Sequence, residues 1–380
     1  MTAPVRAAIV GAGFMGGVHA RAVRAAGAVL VGVADNDLAL AQALQAKTQA
    51  ERATARATEL IEAPDIDVVH VCTPNATHIG LVEQALRAGK HVVCEKPLAT
   101  SPGEAAGLEE LADKARLVGA VPFVYRFYPM VREVRERVRR GEAGRLSVLH
   151  GYYLQDWLAG EADDNWRVDA GRGGRSRAFG DIGVHWVDLV EFASGQRLVR
   201  LGAQLLTVYP RRQGPGGSFE VHTEDAATVS FETDGGAIGS VVLNQVAAGR
   251  KNRFRFSFDG TEASFAFDHD RPEQLWVGGR SESRVLVRSP EDLAPAAAAY
   301  VTVPAGHPQG YQDCFNAFVA DCYTAVRGGS PDGLPRFCDG RRAAEVTEAV
   351  LVSAASKSWV EVPPVPSPSV SAIAGAKEPG

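Results

Sequence analysis

The stretch that most restricts how this chain can fold is "VRAAIVGAGFMG", Val5 to Gly16, an apolar run that breaks into glycines and opens the Ala-rich segment "HARAVRAAG". A strand followed by G-x-G-x-x-G and then a helix is the arrangement of a dinucleotide-binding turn. In that arrangement Gly11 permits the tight turn, Gly13 lets a pyrophosphate approach the backbone, and Gly16 lets helix and strand pack closely. Phe14 and Met15 then fall at the helix N-terminus, where phosphates meet unsatisfied N–H groups. Asp35 ends the next valine-rich run, roughly 20 residues on, where an acid that takes the ribose hydroxyls belongs. A carboxylate there repels a 2′-phosphate, and its neighbours Asn36 and Asp37 offer no cation to hold one, so NAD is favoured over NADP.

The first third of the chain continues in the same order. "VLVGVA" (29–34), "VVHVC" (68–72), "HVVC" (91–94) and "LVGAVPFVY" (117–125) are short, valine-rich and separated by segments of helix length such as "IGLVEQALRAGK". Near-continuous apolar runs suit strands covered on both faces, and βαβ order implies a doubly wound parallel sheet. After Pro129 the pattern changes. A helix near Met130–Arg140 leads into "LSVLHGYYLQ", and a second is expected over Ile182–Phe192. The runs "AQLLTVY", "AATVSFET", "GAIGSVVLNQV", "FRFSFDG", "ASFAF" and "QLWVGG" then follow without helices between them, as in an antiparallel sheet. Tyr311, Phe315, Phe318, Val319, Cys322 and Val326 fall at helical spacing on one face of a late helix. The fold class expected is therefore α/β. It comprises a Rossmann dinucleotide-binding domain over 1–124, an α/β domain with a large, mostly antiparallel open sheet over 125–362, and a flexible Pro- and Ser-rich tail over 363–380.

Several function classes are disfavoured. A net charge of -5 argues against a nucleic-acid partner, and the basic run "REVRERVRR" alternates with Glu133 and Glu136, as a solvated helix face would. No run approaches the ~18 apolar residues of a membrane span. Strand-like residues begin almost at once, so no signal peptide is expected and the cytoplasm is the expected location. The five cysteines show no C-x-x-C spacing and read as reduced thiols, and the nine histidines show no metal-ligand spacing, so no metal is expected.

Strand ends at one edge of a doubly wound sheet face the cofactor crevice. "CTPNATH" (72–78) ends one strand there, which would set Thr73, Pro74 and Asn75 along the nicotinamide ribose, although a plain Pro-Asn turn is the other reading. The following strand ends in Glu95-Lys96-Pro97 at the same edge. An ammonium closing an apolar run needs a partner, and from this position Lys96 can hydrogen-bond a hydroxyl being oxidised and relay its proton.

At this point the chain resembles the glucose–fructose oxidoreductase/inositol dehydrogenase (Gfo/Idh/MocA) family. The resemblance rests on the N-terminal glycine motif, the T-P-N-x-x-H segment from Thr73 to His78, the E-K-P motif at Glu95–Pro97, and a later D-x-G-x-H motif, Asp181 to His185. It covers essentially everything before the tail, with the motifs in family order. It implies Lys96, Asp181 and His185 as catalytic residues, with His78 and Glu95 joining the cofactor-binding set. It also implies a homodimer or homotetramer formed through the C-terminal sheet. Asp181 and His185 are four residues apart and would share a helix face, so His185 could exchange the hydroxyl proton while Asp181 orients it or the substrate. Asp181 as a helix cap and His185 as a core residue remain the alternative.

Upstream, "YYLQDW" and "NWRVDAGRGG" mix aromatic and polar groups in the manner a sugar requires, and "NWR" is similar to segments of sugar-oxidising relatives. Gln155, Trp166 and Arg167 are the candidate substrate contacts, joined by Arg126 at a family position near the active site and by His307 in "GHPQGY". A structural role is as open for each. The expectation is an NAD-dependent oxidoreductase acting on a secondary hydroxyl of a sugar, anhydrosugar, glycoside or cyclic polyol. The alternatives are a member acting on a dihydrodiol, imine or carboxylated compound, or a non-catalytic nucleotide sensor.

Overall fold

The computed structural model describes residues 3–214 and 216–364, so the expected tail from 365 onward lies outside the described residues. The first sheet is made of β1 (Arg6–Val10), β2 (Val29–Ala34), β3 (Arg52–Thr54), β4 (Val68–Val71), β5 (His91–Cys94) and β6 (Gly119–Ala120). All are parallel, in the order β3-β2-β1-β4-β5-β6. Helices Phe14–Ala25, Leu38–Thr48, His78–Arg87 and Pro102–Ala115 make the crossovers. Every residue of β4 is buried, as the valine runs require of a sheet covered on both sides. The strand order reverses between β1 and β4, which opens the ligand crevice at the C-terminal ends of the strands.

The run at 117–125 pairs over only two residues. Pro122 has no N–H to give a ladder, and Val124–Phe127 instead coil into a 3₁₀ turn.

The second sheet uses β7 (Leu146–Leu154), β8 (Leu198–Leu206), β11 (Ala226–Thr233), β12 (Ile238–Asn244), β13 (Arg253–Gly260), β14 (Ala263–Asp268), β15 (Gln274–Gly279), β16 (Ser283–Val287) and β17 (Val360–Glu361). The numbers between belong to a separate hairpin, β9 (Arg211–Gly214) and β10 (Gly217–Glu220). Among the described residues the order is β16-β15-β14-β13-β7-β12-β11-β8-β17, antiparallel throughout except for the parallel pair β7–β12. This is the mixed, mostly antiparallel sheet the sequence implied. One face is covered by helices Pro129–Arg139, Val184–Ser194 and Phe337–Ser356. The period-2 alternation of β11 and β12 turns Val229, Phe231, Val241 and Leu243 inward.

The last two helices, Tyr311–Val326 and Phe337–Ser356, return to the first domain and pack on Phe14–Ala25 and Pro102–Ala115. Phe315, Phe318, Val319 and Cys322 of the expected apolar face are buried there, whereas Tyr311 and Val326 at its two ends are half-buried. No helix among the described residues is long and apolar enough to cross a membrane.

Candidate active site

The dinucleotide turn has the geometry its glycines require. Gly11 has φ +104°, and a Cβ there would lie 2.6 Å from the Cys72 carbonyl oxygen; a Cβ at Gly16 would collide with the Gly11 carbonyl. A Cβ at Gly13 would have no protein atom within 4 Å, so this side of the turn has the clearance a pyrophosphate needs. No side chain caps the helix that starts at Phe14, which leaves its first N–H groups for an anion. Phe14 is 78% exposed beside them and Met15 is half-buried. Asp35 accepts from Ala12 N at 2.8 Å and from Asp37 N at 3.0 Å. With one bond per oxygen, its remaining lone pairs are available to ribose hydroxyls. These residues fit NAD.

The ends of β4 and β5 are fastened to each other and to the second domain. His78 is fully buried, with Nδ1 2.8 Å from Pro97 O and Nε2 2.9 Å from Thr73 O. Asn75 donates to Gly173 O at 2.8 Å. Both His78 ring nitrogens and the Asn75 amide nitrogen are thus engaged within the protein, where they tie the two turns together. Thr73 and Pro74 are half-buried at the same edge. Glu95 is buried and accepts from the Lys96 backbone N–H at 3.2 Å. The Lys96–Pro97 peptide is cis.

Lys96 finds its partner across the crevice. Its ammonium donates to Asp181 Oδ1 at 2.6 Å and to the Asp181 carbonyl at 2.8 Å. With three donors on an ammonium, one N–H remains. Asp181 also accepts from Arg167 Nε at 3.2 Å on Oδ1 and from Gln245 Nε2 at 2.7 Å on Oδ2. Burial alone would raise its carboxyl; the Lys96 and Arg167 cations outweigh this and hold it far below the usual range. Asp181 lies in a π-wide turn, Phe179–Gly183, that leads into helix Val184–Ser194, so the regular helix expected from Ile182 begins with a local widening. Such widenings are frequent at functional sites.

His185 opens that helix. Its ring lies edge-on to Phe123 and Tyr125, with centroids at 5.8 and 5.3 Å, and its Nδ1 is buried without a partner. Burial, reinforced by the Lys96 charge, pushes its pKa down to about 3. His185 is therefore neutral, in its proton-accepting form, across the ordinary working range.

The substrate candidates separate. Arg167 reaches Asp181 with its guanidinium 4.4 Å above the Trp166 ring. Gln155 joins a polar group beside Tyr125: its Nε2 donates to Asn252 at 2.8 Å, its Oε1 accepts from Trp157 Nε1 at 2.7 Å, and Tyr153 OH lies 2.6 Å from Tyr125 OH. Tyr152, by strand alternation, points to the opposite face, where its position in the register is shared with Val242 and Arg255.

The Arg126 guanidinium is engaged by two carboxylates. It is buried, donates to Asp188 through Nε and Nη2, and donates to Asp339 at 2.7 Å. Asp188 thus accepts from Arg126 on both of its oxygens. His307 is exposed on a turn where its carbonyl accepts from Arg288, and among the described residues nothing links it to Lys96 or Asp181.

Sequence reasoning missed Gln245, Asn252 and the placement of Tyr311, whose ring lies 6.4 Å from Tyr125 and whose phenol is pushed up by burial and by Glu95. Gln245 and Tyr311 lay within strand-like and helical runs whose spacing gave no sign of a role at the site.

Comparison with known proteins agrees with this geometry. Residues 5–123 match the family described as "Oxidoreductase family, NAD-binding Rossmann fold", and 131–266 match "GFO/IDH/MocA C-terminal domain". The chain is 31% identical to levoglucosan dehydrogenase of Pseudarthrobacter phenanthrenivorans, over 94% of this chain and 98% of that protein. A solved levoglucosan dehydrogenase, in complex with NADH and levoglucosan, superposes with a TM-score of 0.89 at 30% identity, covering 95% of this chain and 100% of the other. An inositol dehydrogenase homolog from Azotobacter vinelandii, complexed with NAD+, gives 0.85 at 27% identity, over 95% and 98%.

Proposed function

Because this chain belongs to the Gfo/Idh/MocA family of NAD-binding oxidoreductases, we propose that it oxidises a secondary hydroxyl on a neutral sugar-like ring: an anhydrosugar, a glycoside or a cyclic polyol. The observation that carries this reading is the Lys96–Asp181 contact, which fixes an ammonium with one N–H to spare beside a neutral imidazole. NAD, when bound, supplies the hydride acceptor. Lys96 then donates to the carbinol oxygen and stabilises the charge that develops on it. His185 accepts the hydroxyl proton, whose acidity rises steeply as the carbon is oxidised, so even a weakly basic imidazole suffices. Asp181 keeps the ammonium in place.

A carboxylated substrate is disfavoured, because Arg167, the cation that would bind it, is already paired with Asp181. The relatives named for levoglucosan and inositol support a neutral polyhydroxylated ring for this chain as well. Gln155, Trp157, Trp166 and Asn252 supply the mixture of aromatic faces and hydrogen-bonding groups for it. Unmatched polar groups cost on the order of 1–3 kcal/mol each, which excludes small alcohols.

The test is NADH absorbance across a panel of anhydrosugars, glycosides and inositols, run with NAD and with NADP. Activity is expected on at least one ring compound and none on ethanol or 2-propanol. NAD should be preferred by at least about tenfold, worth roughly 1.4 kcal/mol, and Asp35→Ser should narrow the gap. Silence on every neutral ring, with turnover of a carboxylated compound that is lost in Arg167→Ala, would overturn the substrate assignment.

We also assign the uncovered face of the large sheet to a second copy of the chain. Ile238, Val242, Trp276, Val285 and Val287 are exposed there. They are interleaved with Arg255 and Arg271 and with Asp259 and Asp268 of the same basin. Such a mixture of both charge signs is self-complementary across a two-fold axis. Sedimentation equilibrium should give a dimer or tetramer that Val242→Arg dissociates; a wild-type monomer would refute the assignment.

A further inference from the structure

Beneath the site lies a buried polar chain that the proposed chemistry does not use. Tyr323 OH is 2.8 Å from His70 Nε2, His70 Nδ1 is 2.9 Å from His19 Nδ1, and His19 Nε2 is 3.0 Å from Glu95 Oε1. His19, His70 and Tyr323 are wholly inaccessible, and Glu95 is 7% exposed. They come from a helix, a strand, the late helix of the second domain and the E-K-P turn, so no local spacing accounts for the alignment.

The direction of the chain follows from chemistry. An ionised carboxylate only accepts, so His19 Nε2 donates to Glu95. One proton on each imidazole then pairs every atom: His70 Nδ1–H donates to His19 Nδ1, and the Tyr323 hydroxyl donates to His70 Nε2. Burial drives His70 neutral and keeps Tyr323 protonated, in agreement with that order. Burial alone would push the Glu95 carboxyl up; the His19 hydrogen bond and the Lys96 charge hold it below its usual range. Two imidazoles and a phenol are an expensive way to fill a core, since apolar residues would pack there without desolvation. Their common product is one fixed anion at the end of β5.

The charges of the site show what that anion does. Lys96 and Arg167 are cations, and Asp181 offsets only one of them. Without Glu95 the site would be net positive and would oppose a cationic nicotinamide. With Glu95 the protein groups balance. We propose that Glu95, fixed by Tyr323, His70 and His19, is a positioning residue that sets the cofactor preference of the site, lifting the penalty that a net positive site would place on the oxidised nicotinamide and not on the neutral reduced one.

This inference rests on the dehydrogenase reading above, so its test uses binding alone. Dissociation constants for NAD+ and NADH are measured separately by titration calorimetry, without substrate, on the full chain. Failure of the wild type to bind either form would sink the reading beneath the inference. Given binding, Glu95→Gln is expected to weaken NAD+ about tenfold and NADH less than about twofold, the scale expected of a unit charge acting through a partly screened interior. Tyr323→Phe removes one hydroxyl and keeps the ring in place, and should move the NAD+/NADH affinity ratio the same way by about twofold. Equal weakening of both forms in Glu95→Gln would overturn the proposal. If Glu95→Gln does not fold, an unchanged ratio in a stable Tyr323→Phe would overturn it instead.

Discussion

Lys96→Met is expected to lower kcat by about 10² to 10⁴, the usual worth of a positioned proton-transfer or oxyanion-stabilising group, while the dissociation constant for NAD+ changes far less. The structure explains why these effects should separate. The phosphate-binding turn lies at the end of β1, whereas Lys96 lies in the turn that follows β5 and points its donors at Asp181. Loss of the ammonium does not leave Asp181 stranded, because Arg167 and Gln245 still hold its two oxygens. The defect should therefore lie in the chemical step and not in a collapsed site. Steady-state kinetics alongside direct NAD+ titration would show it, and near-normal turnover would remove Lys96 from the mechanism.

Arg126→Met should fail in a different way. Its guanidinium bridges Asp188 on helix Val184–Ser194 and Asp339 on helix Phe337–Ser356. Removing it leaves two buried carboxylates facing each other with no cation between them. Breaking a buried pair from one side costs about 3–5 kcal/mol, to be read as a lowered denaturant midpoint. In whatever fraction remains folded, KM for substrate should match the wild type. A fully stable variant with a raised KM would restore Arg126 to the substrate pocket.

Arg126 also shows where sequence reading stops. Its partners lie 62 and 213 positions away, and the choice between binding a substrate and binding Asp188 is made only when the helices meet. Gly11, Gly16, Asp35 and Lys96 were legible because each is specified locally, by a turn with no room for a Cβ or by the end of an apolar run. His78 and Asn75 belong to an equally recognisable motif, but a motif records that residues recur together and not which way their polar atoms turn. Gln245 follows an ordinary alternating strand, and nothing in its spacing separates it from a solvent-facing glutamine. The strands absent from the sequence reading are short or polar: β3 has three residues, and β16 alternates little and is mostly exposed.

The return of the last helices to the first domain limits how this protein can be recombined. His70 receives its hydrogen bond from a tyrosine 253 positions downstream, and the helix after the glycine turn is covered by Tyr311–Val326. The cofactor domain is thus contiguous in sequence up to β6 but is completed by segments from the other end of the chain. A chimera that exchanges only the N-terminal segment for that of a relative would inherit the wrong lining for His19 and His70. The unit that can be exchanged intact is discontinuous, and a successful graft has to carry the Tyr311–Val326 and Phe337–Ser356 helices along with the glycine turn.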